Sequence, residues 1–242
     1  MTRTASSFKA PFAIRLMLLA LVGAQLAFWS QTHEIRPRMV IVPPAPDAHT
    51  AGALALGDRQ FYFRYNGFLL QNFGDGFGRS TPLKDYDYAR LGAWFRLMDT
   101  LDATSNFVPF LATYYYSQSQ HAPDVRYVVD YLYEHSLHDP SRNWWWLAQA
   151  VYLARHKLQD KELALEIAKV LSDAPGNVPF WARQMPAYIL ESMGEKQAAY
   201  AIMKGILDHY EDIPPSEFRY MKYFIEERLG MKDGMPAAET PP

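Results

Sequence analysis

Asn106-Phe107-Val108-Pro109-Phe110 and Asn177-Val178-Pro179-Phe180-Trp181 are two versions of one phrase. Their prolines, Pro109 and Pro179, stand 70 residues apart, two steps of 35, and Trp144 falls one step after Pro109. The same step recurs further along, where Ala164, Ile167, Lys169 and Leu171 return as Ala199, Ile202, Lys204 and Ile206. One step earlier, Asp124 to Val128 precedes Asp160 to Ala164 by 36 residues. Around these echoes, glycine and proline cut the chain into segments with helical periodicity. They run over 58–73, 85–101, 106–119, 123–138, 141–158, 160–172, 178–193, 195–210 and 214–229. Long alternation of apolar and polar residues is missing, so the spacing predicts an all-α domain. Pro140, Pro175 and Pro214 each follow a second helix, where a ring that cannot continue a helix fixes the turn. Pro186, inside 178–193, removes a backbone hydrogen bond and predicts a kink there.

A helix pair repeated every 34 to 36 residues is the signature of a helical solenoid, because one pair alone cannot cover its apolar face. On these echoes the stretch 106–213 resembles the tetratricopeptide-repeat (TPR) family, in the divergent form found in membrane-anchored bacterial proteins. A degenerate first pair covers 58–101 and a capping helix covers 214–229. The resemblance implies a right-handed helical-hairpin solenoid of about three to four repeats, filling 57–230. Its small residues would be Ala112, Ala148 and Ala182 in the first helices, and Ala164 and Ala199 in the second, with Val128 replacing the alanine one unit earlier. In that family the first helices line a concave face that binds a protein or peptide partner. The positions carried over to that groove are Thr113, Tyr116, Arg142, Trp145, Gln149, Tyr152 and Arg183.

Upstream of the repeats, Phe12 to Trp29 reads FAIRLMLLALVGAQLAFW, with Arg15 as its only charge. Eighteen residues at 1.5 Å each give about 27 Å, close to a hydrocarbon core. Arg15, near its start, can snorkel to headgroups, and Trp29 suits the other interface. A signal anchor, a cleaved secretory signal and a mitochondrial presequence all fit the basic, acid-free N-terminus. The signal anchor gives a single-pass inner-membrane protein with residues 1–11 cytoplasmic and the C-terminal domain periplasmic. Residues 30–56, with Pro37, Pro43, Pro44 and Pro46, read as an extended spacer. Residues 231–242 read as a disordered tail.

Twenty-four Lys and Arg against 26 Asp and Glu leave a net charge of −2, so nucleic acid has no electrostatic footprint to bind. The absence of cysteine excludes disulfides, thiolate metal sites and cysteine nucleophiles. Gly74-Asp75-Gly76-Phe77-Gly78-Arg79-Ser80-Thr81 lacks the lysine of a phosphate cradle and reads as an inter-helix loop. His135 and His138 share a helix face, but no second ligand pair has metal-site spacing, and His138 suits a helix C-terminus. No metal or cofactor is therefore expected.

The informative residues are aromatic: 16 Tyr, 14 Phe and 6 Trp, crowded at Tyr114-Tyr115-Tyr116 and Trp144-Trp145-Trp146. Adjacent residues on a helix point about 100° apart, so each triplet must place a ring at a seam or on the surface. These readings together describe a non-enzymatic, membrane-anchored scaffold that holds a protein or peptide in an aromatic-lined groove. A small-molecule or envelope-glycan binder, and a structural subunit of a membrane complex, are the alternatives.

Overall fold

The computed structural model describes residues 12–33, 40–76, 79–232 and 235–236. It divides into two compact units, Met1–Val40 and Ile41–Pro242. The segments expected to be cytoplasmic (1–11), part of the spacer (34–39) and most of the tail (233–234 and 237–242) lie outside the described residues.

In the first unit, α1 spans Phe12–Thr32 with mean hydropathy 1.8, and it is long and apolar enough to cross a membrane. It runs three residues beyond Trp29. Ser30 Oγ and Thr32 Oγ1 donate to the carbonyls of Ala27 and Phe28, so polar side chains are satisfied by the helix itself.

The second unit is helical throughout, apart from two very short antiparallel pairings, Asp75–Gly76 with Arg79–Ser80 and Met231–Lys232 with Met235–Pro236. Its helices are α2 (Ala48–Leu54), α3 (Arg59–Gln71), α4 (Tyr88–Asp102), α5 (Phe107–Tyr114), α6 (Ala122–Leu137) and α7 (Pro140–His156). They continue as α8 (Lys161–Asp173), α9 (Phe180–Arg183), α10 (Met185–Met193), α11 (Lys196–His209) and α12 (Pro215–Tyr223). Five of them start the same way. Asp47, Asp58, Asp87, Asp139 and Asp160 each precede a helix and accept a hydrogen bond from a backbone N–H three residues on. Such a cap satisfies a donor that the helix leaves orphaned, and is worth about 1 kcal/mol.

Packing follows the chain: α3 on α4, α4 on α6, α6 on α7, α7 on α8, α8 on α10 and α10 on α11. Alanines at the repeated positions sit at these seams. Ala112, Ala182, Ala164 and Ala199 are fully buried, as is Val128, and Ala148 is nearly so. The expected kink is a full break, with Gln184 between α9 and α10 and Pro186 in the first turn of α10. Gln184 is buried there and donates to Glu217 of α12 at 2.9 Å.

The spacer differs from the extended segment expected of its prolines. Val42 is 1% exposed, the carbonyl of Pro43 accepts from Trp94 Nε1 at 2.8 Å, and Ala48–Leu54 is helical with Ala51 buried. Asp47 supplies the cap that starts this helix, a signal overshadowed in the sequence by its flanking prolines. Beyond the last helix, Met231 is buried against the C-terminal core.

Tyr88, Tyr116 and Tyr131 lie in the core, and burial holds their phenols protonated well above the ordinary value of 10. Above pH 10 the unfolded chain loses these protons while the folded chain keeps them, so stability should fall as pH rises through that range. An alkaline titration followed at 295 nm should show exposed tyrosines ionising first. The buried set should ionise only together with the loss of helical circular dichroism. A single titration complete before any helix is lost would contradict this core.

Candidate functional site

The seven positions carried over to a groove separate in the structure. Trp145, Gln149 and Tyr152 come together, lying one helical turn apart on α7. With Ala148, Trp181 and Met185 they line a depression of 290 Å³. Trp145 and Trp181 are each 39% exposed and Tyr152 is 52% exposed, which is unusual for rings of this size in a folded unit. Trp144 completes the arrangement. Its ring meets Trp145 at 5.7 Å and 90°, and meets Trp181 at 5.8 Å and 72°. Trp145 and Trp181 lie 6.4 Å apart at 84°. Edge-to-face contacts of this kind hold the indoles rigid, so little rotamer entropy remains to be lost on binding. Arg142, at the start of α7, is exposed and donates to the carbonyl of Thr104 at 2.6 Å, which turns it toward the α4–α5 connection.

Thr113 and Tyr116 turn into the core, and Arg183 lines a different depression, beside Ala174, His209 and Tyr210, each for a local reason. The segment 106–119 is not one helix: α5 stops at Tyr114, and Tyr116–Gln118 forms a 3-10 turn. That change of phase turns Tyr116 inward, where it is fully buried and its hydroxyl donates to the carbonyl of Leu70. Thr113 is buried too, and its hydroxyl makes no hydrogen bond. Arg183 is 5% exposed, and its guanidinium donates to the carbonyls of Ser172 at 2.6 Å and Gly176 at 3.0 Å. Those carbonyls lie at and beyond the end of α8, so Arg183 serves as a C-terminal cap, with Tyr210 stacked against its cation.

The tryptophan and tyrosine triplets divide as their geometry requires. Tyr114 and Tyr115 are exposed beside buried Tyr116, and Trp145 is exposed beside buried Trp146. Trp181 is the trough residue that the carried-over set lacks. In the 70-residue register of the opening phrase it stands at the position of buried Leu111, so the repeat did not mark it as a surface ring.

A second polar cluster lies between α4 and α6. Asp99 accepts from Tyr131 Oη at 3.0 Å and pairs with His135 Nδ1 at 2.8 Å, and His135 is 1% exposed. Arg96 and Glu134 form a bidentate pair over the same pocket, which raises the arginine's pKa further through the carboxylate hydrogen bond. His135 is thus held through its Nδ1 by Asp99. Among the described residues, no three His, Asp or Glu side chains gather as a metal would need. In the glycine-rich stretch, Asp75–Gly76 pairs antiparallel with Arg79–Ser80. Gly74 has φ +79°, and a Cβ there would lie 2.0 Å from the Tyr86 hydroxyl.

Against known proteins, no family, no curated sequence and no solved structure matches this chain.

Two substitutions test the buried polar groups. Asp99→Ala strands the Tyr131 hydroxyl and the His135 imidazole, and should cost about 2–3 kcal/mol in denaturant unfolding. Thr113→Val keeps the shape and removes an unsatisfied hydroxyl, so it should raise stability by about 1 kcal/mol. A destabilised Thr113→Val would mean that the hydroxyl has a partner.

Proposed function

We propose that this chain is a membrane-anchored, non-enzymatic scaffold whose helical unit holds a protein or peptide segment in the aromatic trough of α7, α9 and α10. In this reading α1 is a signal anchor in the inner membrane, the second unit is periplasmic, and its helix pairs stack as a TPR-like right-handed solenoid. Burial of Ala112, Ala148, Ala182, Ala164 and Ala199 supports the repeat register. Three edge-to-face indoles beside Tyr152, of which Trp145 and Trp181 are left exposed although apolar burial is the chief drive to fold, carry the binding assignment. Gln149, half-buried between Trp145 and Tyr152, offers a donor and an acceptor to fix the register of a bound backbone.

Glycan binding is the second reading. It is favoured by the same exposed rings flanking an amide, since sugar faces stack on aromatics and their hydroxyls pair with amides. The two readings part in one experiment. Full-length protein is cross-linked in its native membrane, and the captured material is identified by mass spectrometry. Trp145→Ala with Tyr152→Ala should weaken capture of a protein partner about 30-fold, the equivalent of about 2 kcal/mol for central aromatic anchors. Helix content should be unchanged, because both side chains are exposed. Undiminished capture by the folded double variant would falsify the trough assignment, whereas selective retention on immobilised glycan would shift it to the second reading.

A further inference from the structure

A separate apolar surface lies at the other end of the helical unit. Phe61, Tyr65 and Phe68 repeat at helical spacing along one side of α3 and are 66%, 52% and 65% exposed. Phe107, Phe110 and Tyr114 do the same along α5, at 38%, 55% and 45%. The two stripes meet at Gly67, where a Cβ would lie 3.1 Å from the Phe107 ring, so the glycine lets the ring settle onto the α3 backbone. A pocket of 360 Å³ opens between Phe68 and Phe107. Just ahead of α3, Leu56 is 92% exposed and holds a left-handed backbone, φ +49°, that a leucine adopts only at a cost. Its N–H donates to the carbonyl of Ala53 in the turn that ends α2, while its side chain is left in water.

The charges on this surface are of one sign. Helix α3 carries Arg59 and Arg64 and no carboxylate, and α5 carries no charge at all. Two carboxylates border the face without lying on either stripe, Asp58 capping α3 and Asp102 accepting from Gln60, which with Thr104 holds the Asp102 pKa below its usual value. Phenylalanine, tyrosine and leucine with arginine, and without carboxylates, is the composition that seats in the headgroup region of an anionic bilayer. Covalent length adds the second argument. From Thr32 at the end of α1 to Ile41 there are nine residue steps, a reach of at most about 30 Å. A unit on so short a leash meets the lipid surface at high effective concentration, and weak interfacial contacts become occupied.

We propose that the aromatic–arginine face of α3 and α5 is a membrane-interface contact, inserted among the headgroups of the bilayer that α1 enters. The inference rests on reading α1 as a membrane span, and the experiment separates the two. Because the chain has no cysteine, single cysteines can be placed in the full-length protein and labelled with an environment-sensitive fluorophore. Leu21→Cys reports the span, Phe68→Cys and Phe110→Cys report the face, and Lys169→Cys on α8 serves as a solvent reference. All four are reconstituted in nanodiscs of phosphatidylcholine with or without phosphatidylglycerol, containing doxyl-labelled lipid, after circular dichroism has confirmed the fold.

Labels at 68 and 110 should be quenched by shallow doxyl groups about two-fold or more over the label at 169, as for rings seated at the headgroup boundary. The effect should be larger with phosphatidylglycerol and should fall with added salt. Deep quenching at 21 with none at 68 and 110 overturns the contact and leaves the span intact, as it would if a protein normally covered this face. Absence of quenching at 21 overturns the span, and with it the premise of the contact. Equal quenching with and without phosphatidylglycerol overturns the role assigned to the arginines.

Discussion

Tyr116 is the side chain on which the N-terminal half of the helical unit depends. Its hydroxyl reaches the carbonyl of Leu70 on α3, and its own carbonyl accepts from the Tyr88 hydroxyl of α4. Its ring lies 5.6 Å from Phe95, which in turn meets Tyr131 of α6 at 4.9 Å. One residue in a 3-10 turn thereby connects α3 and α4 directly, and α6 through Phe95, by both its polar and its apolar parts. The turn itself is therefore a requirement: were α5 to continue past Tyr114, the ring would rotate by roughly 100° per residue away from this position. Close packing leaves no alternative place for a tyrosine of that volume.

This dependence explains what the amino-acid sequence disclosed and what it concealed. Helix positions were legible because proline, glycine and a 35-residue echo punctuate the chain, and each of those signals acts locally. Ala148 and Ala164 could be assigned to seams for the same reason, since a repeated small residue is a statement about close approach. Tyr116 could not be placed, because its direction follows from where α5 stops, and that is settled by the cavity among Leu70, Tyr88 and Phe95. Arg183 misled in another way. A charged residue on a first helix suggests a polar rim, yet the carbonyls at the end of α8 offered it a better-matched set of acceptors. The seat of Pro43 on Trp94 likewise depends on a partner far along the chain.

The candidate surfaces follow the same division. Trp145, Gln149 and Tyr152 were carried over together from the family resemblance, and they stay together because all three share one helix. Trp181 joins them from a different helix, α9, through its ring contacts with Trp144 and Trp145. The face of α3 and α5 was invisible as a surface, because its two stripes belong to different helices and become continuous only through the missing side chain of Gly67.

The apolar interior is not one body. Residues from Val42 to Ile189 form one cluster, those from Ala187 to Met231 form another, and Leu165 of α8 packs against both. Coupling between two cores that share so narrow a border is weaker than coupling within either. Opening of the C-terminal segment, α11, α12 and the Met231 turn, is therefore expected to cost less than opening of the rest. Amide exchange in that segment then proceeds by partial openings, and a single melting temperature describes neither part of the molecule.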